Sequence, residues 1–202
     1  MSKIGIMGGT FNPIHLGHIM LAKAGYQQFQ LDKVLVIPNK LPAYKDTDEL
    51  LDSKHRSRMV QIAIQDYPYM EFSDMELRRT GATYTIDTLR ELSGLYPNDQ
   101  FYFILGGDSL VHLREWREYQ EILKLTVILC AKRNGADMVT LDTMRMELLQ
   151  EVKDSRILFL DTPMMDISST DIRDNIQEKD VISQWLPDGV YQYIEKHQLY
   201  MG

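Results

Sequence analysis

The stretch KIGIMGGTFNPIHLGH, residues 3–18, decides the fold. KIGIM (3–7) is a short apolar run without polar alternation, the pattern of a strand buried on both faces. Gly8 and Gly9 follow at once. Paired glycines directly after a strand let the backbone turn tightly and bring its N–H groups close to a bound phosphate. His15 and His18 then stand three residues apart, so one helical turn sets both imidazoles on the same side. The dipole of a helix starting there favours anions as well. This is neither a Walker loop nor GxGxxG: the glycines are Gly5, Gly8 and Gly9, and no Gly-Lys-Ser/Thr follows. A glycine turn beside two helix-capping histidines is the plainer alternative. Metal chelation by the pair lacks a third nitrogen or sulfur ligand nearby.

Further short apolar runs recur at 33–37, 70–73, 101–105, 126–131 and 156–160. Helix-period stretches separate most of them. Residues 18–29 place Met20, Leu21 and Ala24 on one face, with Phe29 a turn later. Residues 53–66 group Met59, Ile62 and Ala63 behind a cap at Asp52 or Ser53, and 85–96 repeat the pattern through Ile86, Leu89 and Leu92. Residues 138–152 and 187–197 are further helices. Strands alternating with helices imply right-handed crossovers and a Rossmann-like, doubly wound, mostly parallel α/β sheet with helices on both faces. Ligands bind such sheets beyond the carboxyl ends of the strands. The segments after the first, second, fourth and last strands are therefore where chemistry is sought. No internal repeat or long linker interrupts the pattern, so 1–202 reads as a single domain, with a helical part from about residue 168 packed on it. The polar stretch 38–52 has the length of a mobile loop.

Composition bounds the partners. The chain has 22 Lys plus Arg against 29 Asp plus Glu, a net charge of −7, which argues against a nucleic-acid surface. One local cluster of His, Lys and Arg is still enough for a small phosphate ligand. No apolar run approaches the ~20 residues of a membrane span, and no charged leader precedes the first strand. The one cysteine, Cys130, sits in the apolar run 126–131 and reads as a small buried hydrophobe. Without cysteine pairs the chain fits a reducing compartment, and the cytoplasm is the expected location.

Four further motifs fall at the expected strand ends. ISSTDIR (167–173) opens a helix: Ser168 and Ser169 can cap it, and Asp171 stands like the acid of a capping box. Its free N–H groups and hydroxyls, with Arg173, can hold a triphosphate, although the string alone is also just a good helix start. LGGDSL (105–110) carries Gly106 and Asp108 at the edge of the fourth strand, where a carboxylate accepts ribose hydroxyls or caps a helix. GATYTIDTL (81–89) puts Tyr84 and Thr85 at a helix start, as carboxylate donors or as an ordinary cap beside a packed tyrosine. IPNKLPAYK (37–45) ends in Lys45.

The 8–18 segment resembles the (T/S)-F-x-P-x-H-x-G-H signature of Rossmann-like nucleotidyltransferases, and 167–173 resembles their I-S-S-T-x-I-R element. The intervening residues look like bacterial nicotinate mononucleotide adenylyltransferases over nearly the whole chain. That resemblance implies ATP-binding roles for Gly8, Gly9, Thr10, Phe11, His15, His18, Gly106, Asp108, Ile167, Ser168, Ser169, Thr170 and Arg173. It implies catalytic roles for His15, His18, Lys45 and Arg173. Lys45, Tyr84, Thr85, Asp108, Trp116, Arg117 and Arg133 are the implied contacts to the mononucleotide, with Trp116 stacking on the pyridine ring. From the residues alone, Trp116 is equally a core side chain and Arg133 equally a solvated one. Ala43 and Tyr44 depart from the family's usual Pro-His, and Asn12 replaces the commoner Asp.

The expected chemistry is attack by the mononucleotide phosphate on the α-phosphorus of ATP, with pyrophosphate leaving. A phosphate monoester has its second pKa near ~6, so the nucleophile is already ionised and no strong general base is required. Catalysis then comes from alignment and charge neutralisation. Mg²⁺ is expected with ATP, held by phosphates and water, so no metal ligand is assigned to the protein. The expected partners are ATP and nicotinate mononucleotide, with no nucleic acid and no membrane; a homodimer is left open. Another acceptor, such as nicotinamide mononucleotide, pantetheine phosphate or glycerol phosphate, is the nearest alternative, and a non-catalytic nucleotide sensor the more distant one.

Overall fold

The computed structural model describes residues 1–43, 50–131, 138–162 and 167–201. Six strands, β1 (Lys3–Gly9), β2 (Lys33–Pro38), β3 (Met70–Phe72), β4 (Gln100–Gly106), β5 (Thr126–Ala131) and β6 (Arg156–Leu160), form one sheet. Their order is β3-β2-β1-β4-β5-β6, and every pairing is parallel. The polarity of the order reverses between β1 and β4, so a crevice opens beyond the carboxyl ends of those two strands. Each expected strand is present within two residues of its expected bounds.

Helices α1 (Leu16–Phe29), α2 (Ser53–Ile64), α3 (Thr85–Leu95), α4 (Gly107–Val111), α5 (Tyr119–Leu125), α6 (Met138–Glu151), α7 (Ser169–Asp174), α8 (Lys179–Ile182) and α9 (Asp188–His197) cover both faces. Two apolar clusters, one per face, hold the layers together. One joins Val34, Val36, Ile104 and Leu129 to α1 and α2, and also takes Ile172, Ile182, Val190 and Ile194 from the C-terminal helices. The other joins Ile6, Phe103 and Ile128 to Ile86, Leu89, Ile122 and Leu148 of α3, α5 and α6.

The buried stripe of α1 differs from the expected one. Ile19, Ala22 and Gly25 face the sheet, while Met20 and Leu21 border the crevice. A Cβ on Gly25 would lie 2.9 Å from Ile104 Cδ1, so glycine there brings the helix axis close to β4 and sets its rotation. Ala22 and Gly25 carry little apolar weight, which is why the hydrophobic pattern alone points one step away.

Cys130 is fully buried in β5, and burial pushes its thiol up to about 12. A thiol that stays protonated and has no solvent access does not attack disulfides. The folded protein is therefore expected to give no reaction with Ellman's reagent at pH 8, and one thiol per chain once denatured. Rapid labelling of the folded state would show that β5 opens.

Candidate active site

The β1–α1 connection is shaped by Phe11 and by two glycines. Phe11 adopts a left-handed backbone (φ 49°), which costs about 1–2 kcal/mol for a non-glycine residue and must be held by its surroundings. Its ring is buried, lies against Gly9, and meets the His18 ring edge-on at 5.1 Å between centroids. A Cβ on Gly9 would sit 3.0 Å from that ring, and one on Gly17 would sit 2.9 Å from His15 Nδ1. Both glycines are thus required by close approach.

Helix α1 begins two residues earlier than the sequence suggests, with His15 as its N-cap. The His15 backbone N–H donates to His18 Nδ1 at 3.2 Å, so His18 plays the part of the acid in a capping box. A ring nitrogen that accepts carries no proton. The neutral ring therefore holds its proton on Nε2. The two imidazoles lie 3.7 Å apart between centroids, tilted by 35°, as the spacing predicts. The first N–H of the helix, that of Leu16, donates to Trp185 O at 2.8 Å. That donor is committed inside the protein, so the side chains and the glycine turn carry the polar character of this helix start.

Helix α7 forms the facing wall. Ser168 is its N-cap, accepts from the Asp171 N–H at 3.0 Å, and its own N–H donates to Asp171 at 3.1 Å, the capping box read from the sequence. Two contacts lock α7 onto the loop after β1. Ser169 Oγ donates to Pro13 O at 2.9 Å, and Arg173 Nη1 donates to Asn12 O at 3.1 Å. Residues from opposite ends of the chain are thereby brought into one cleft of about 660 Å³. That volume lies in the usual range for small-molecule sites.

Every described residue expected to contact ATP lines this cleft, from Gly8, Gly9, Thr10 and Phe11 through His15, His18, Gly106 and Asp108 to Ile167, Ser168, Ser169, Thr170 and Arg173. Trp116 lines it as well, packed edge-on against Phe103 at 6.0 Å. Asp108 does not cap α4; Gly106 holds the N-cap position and Asp108 is exposed toward the cleft. Tyr84, Thr85 and Arg117 are not among the described residues lining the cleft. Arg117 lies over the Tyr84 ring at 5.0 Å and 4.0 Å from Asp87. Tyr84, not Thr85, is the N-cap of α3, so the reading of Thr85 as an ordinary cap is set aside. Lys45, Tyr44 and Arg133 lie outside the described residues.

Two buried charged residues were passed over by sequence reasoning. Arg56 of α2 is fully buried and donates to the carbonyls of Thr10, Lys40 and Leu51. Glu76, also buried, accepts from Thr88 Oγ1 beneath the Tyr84 helix start, and burial pushes its carboxyl above the usual range. In both cases the sequence shows only a charge beside other charges. Among the described residues no three His, Cys, Asp or Glu side chains converge as a metal site, and no helix is long and apolar enough to cross a membrane.

A parallel sheet with a cleft at its switch point, walled by a histidine pair and a capped Ser-Thr-Arg helix, matches the arrangement expected of a Rossmann-like nucleotidyltransferase. The family model described as cytidylyltransferase-like matches residues 6–175. The chain belongs to that family and, within it, to the nicotinate-nucleotide adenylyltransferases. It is 43% identical to a "probable nicotinate-nucleotide adenylyltransferase" of Lachnoclostridium phytofermentans, with 100% of both chains covered. Its identity to the protein of the same description from Oceanobacillus iheyensis is 38%, over 99% of this chain and 97% of the relative. The fold is also that of the Plasmodium falciparum nicotinic acid mononucleotide adenylyltransferase solved with APC, at a TM-score of 0.81, 22% identity, and 99% and 98% coverage of the two chains. The same enzyme solved with NaAD aligns equally well, at 23% identity.

Proposed function

We propose that this chain transfers the adenylyl group of ATP to nicotinate mononucleotide, forming nicotinate adenine dinucleotide and pyrophosphate for NAD biosynthesis in the cytoplasm. One observation carries the reading: the His15–His18 pair and the Ser168–Arg173 helix start face each other across the Gly8–Gly9 turn, in a chain whose full-length relatives bear that activity in their names. An oxygen of the mononucleotide phosphate bonds to the α-phosphorus of ATP. The bond from that phosphorus to the bridging oxygen of the β-phosphate breaks, and its electrons leave on pyrophosphate. No proton has to move to a protein base.

The residues supply position and charge. His18 offers its Nε2–H to an α-phosphate oxygen and His15 stands beside it. Arg173, with Ser169 and Thr170 at the α7 start, neutralises the outer phosphates. Lys45 is assigned to the same phosphates on sequence grounds. Asp108 accepts ribose hydroxyls, and Trp116 offers a ring face to the pyridine. Tyr84, Thr85 and Arg117 form the carboxylate end, with Arg133 assigned to the mononucleotide phosphate. The divalent cation, Mg²⁺ in this reading, arrives as part of the ATP substrate and is held by phosphate oxygens and water.

The direct test is pyrophosphate release from MgATP with nicotinate mononucleotide or nicotinamide mononucleotide, run side by side. Release with the nicotinate form at least ~10-fold faster is expected, since a site built to hydrogen-bond a substrate group rejects the analogue lacking it. Equal rates would remove Tyr84 and Thr85 from the acceptor site. No release with either would turn attention to other phosphate acceptors.

A further inference from the structure

Among the described residues Arg56 has the largest fully buried side chain, yet it lies outside the cleft lining. A buried guanidinium is tolerated only when its donors are satisfied. Here Nη1 donates to Thr10 O at 2.6 Å, Nη2 to Lys40 O at 2.9 Å and Nε to Leu51 O at 2.9 Å, with Asn39 Oδ1 at 3.5 Å from Nη1. Its three close acceptors are main-chain carbonyls on three segments: the loop after β1, the exit of β2 and the entry to α2. A planar fork with donors on three sides fixes the relative positions of those backbones.

The same loop is gripped a second time. The Tyr200 hydroxyl donates to Asn12 Oδ1 at 3.0 Å, and the Leu51 N–H donates to that same oxygen at 3.3 Å. Leu51 is therefore tied to Arg56 through its carbonyl and to Asn12 through its amide. Burial also pushes the Tyr200 phenol above its ordinary value, so the hydroxyl remains a donor throughout the working pH range. Asn12 O, in turn, is the acceptor for Arg173. These hydrogen bonds, closed into a circuit by the backbone of residues 10–12, thus tie down the loop that leads from the glycine turn to His15.

We infer that Arg56 and Tyr200 are positioning residues for adenylyl transfer: acting through residues 10–12, they set the distance between the histidine pair and the Arg173 wall. The inference rests on the adenylyltransferase reading above. A displacement near 1 Å at such a loop can cost up to ~100-fold in rate. Tyr200→Phe removes one oxygen and keeps the ring buried. Its kcat should fall about 5- to 10-fold with KM for ATP little changed. Arg56→Lys keeps the charge but cannot span three divergent carbonyls, and should lose more than ~10-fold in kcat.

The experiment measures kcat and KM for the wild-type chain, Tyr200→Phe, Arg56→Lys and Arg56→Ala, each normalised to ATP-binding sites counted by calorimetry, with melting temperatures alongside. Arg56→Ala is assayed again with added guanidinium at tens of millimolar, well below denaturing concentration. A purely structural role lowers the melting temperature and the number of binding sites while leaving kcat per site intact. The inference expects kcat per site to fall in both conservative variants, and guanidinium to restore part of the Arg56→Ala rate. Unchanged kcat per site in Tyr200→Phe overturns it, even where the Arg56 variants fail to fold. No pyrophosphate release by the wild-type chain overturns the enzyme reading and the inference together, whereas wild-type release with unaffected variants removes the inference alone.

Discussion

Replacing His18 with alanine is expected to lower kcat by about 100-fold while leaving KM for ATP within a few-fold, because the lost donor acts on charge that develops in the transition state. The geometry supports this size of effect. His15 N–H donates to His18 Nδ1, which leaves Nε2–H as the donor of a neutral His18 ring that lines the cleft. Phe11 closes one edge of that ring, so its orientation is held by packing as well as by the hydrogen bond. The substitution also frees one backbone N–H at the α1 start, at a cost of about 1 kcal/mol typical for a lost cap, and the fold should survive it. Steady-state kinetics with pyrophosphate detection, beside a thermal melt, would check both parts. Turnover within about threefold of the wild type would remove His18 from the chemistry, since a transition-state donor is worth far more than that.

Arg173→Ala should show a different signature: a fall of about 100- to 1,000-fold in kcat/KM for ATP, shared between a higher KM and a lower kcat. A guanidinium at the outer phosphates binds ground-state ATP and the departing pyrophosphate alike. In addition, Arg173 tethers α7 to Asn12 O, so its loss loosens the wall that faces the histidines. Arg173→Lys should recover part of the binding but little of the alignment, because an ammonium is a point charge without the fork. Inhibition by added pyrophosphate offers an independent reading: its inhibition constant should rise in step with KM for ATP. A variant with normal KM and normal pyrophosphate inhibition would place the triphosphate elsewhere in the cleft.

Much of this architecture is legible in the residues themselves. Strands such as TVILCA (126–131) are apolar throughout because both faces of a parallel sheet are covered, and that pattern has few competitors. Helices α2, α3 and α9, at ten to twelve residues, show through their 3.6-residue period. Helices α4 and α8, at five and four residues, are shorter than the window in which a period can be recognised. The position of β1 beside β4 depends on which crossovers pack best, and no local string encodes it.

The site divides in the same way. His15, His18 and the Ser168–Arg173 helix start are legible because turns, caps and spacing are local properties. Arg56 is not. In SKHRSRMVQIAI it stands with His55 and Arg58 as one more cation on a helix, and only the arrival of three carbonyls from distant loops makes its burial favourable. Glu76 is hidden likewise, because Thr88 reaches it only after α3 has docked. Charged groups whose role depends on tertiary closure leave no trace in a single sequence.

The two bonds from α7 to the loop after β1, Ser169 to Pro13 and Arg173 to Asn12, also order events in time. On the ribosome, the histidine pair emerges with β2 through β6 still to be made. At about 5–20 residues per second, the interval before Ser169 follows is on the order of ten to thirty seconds. Throughout that interval, under the site assignment proposed above, the nascent chain would carry one wall of the cleft without the other. If the cleft binds ATP as proposed, nucleotide affinity would arrive late, and ATP would stabilise a newly made chain only after its sheet is complete.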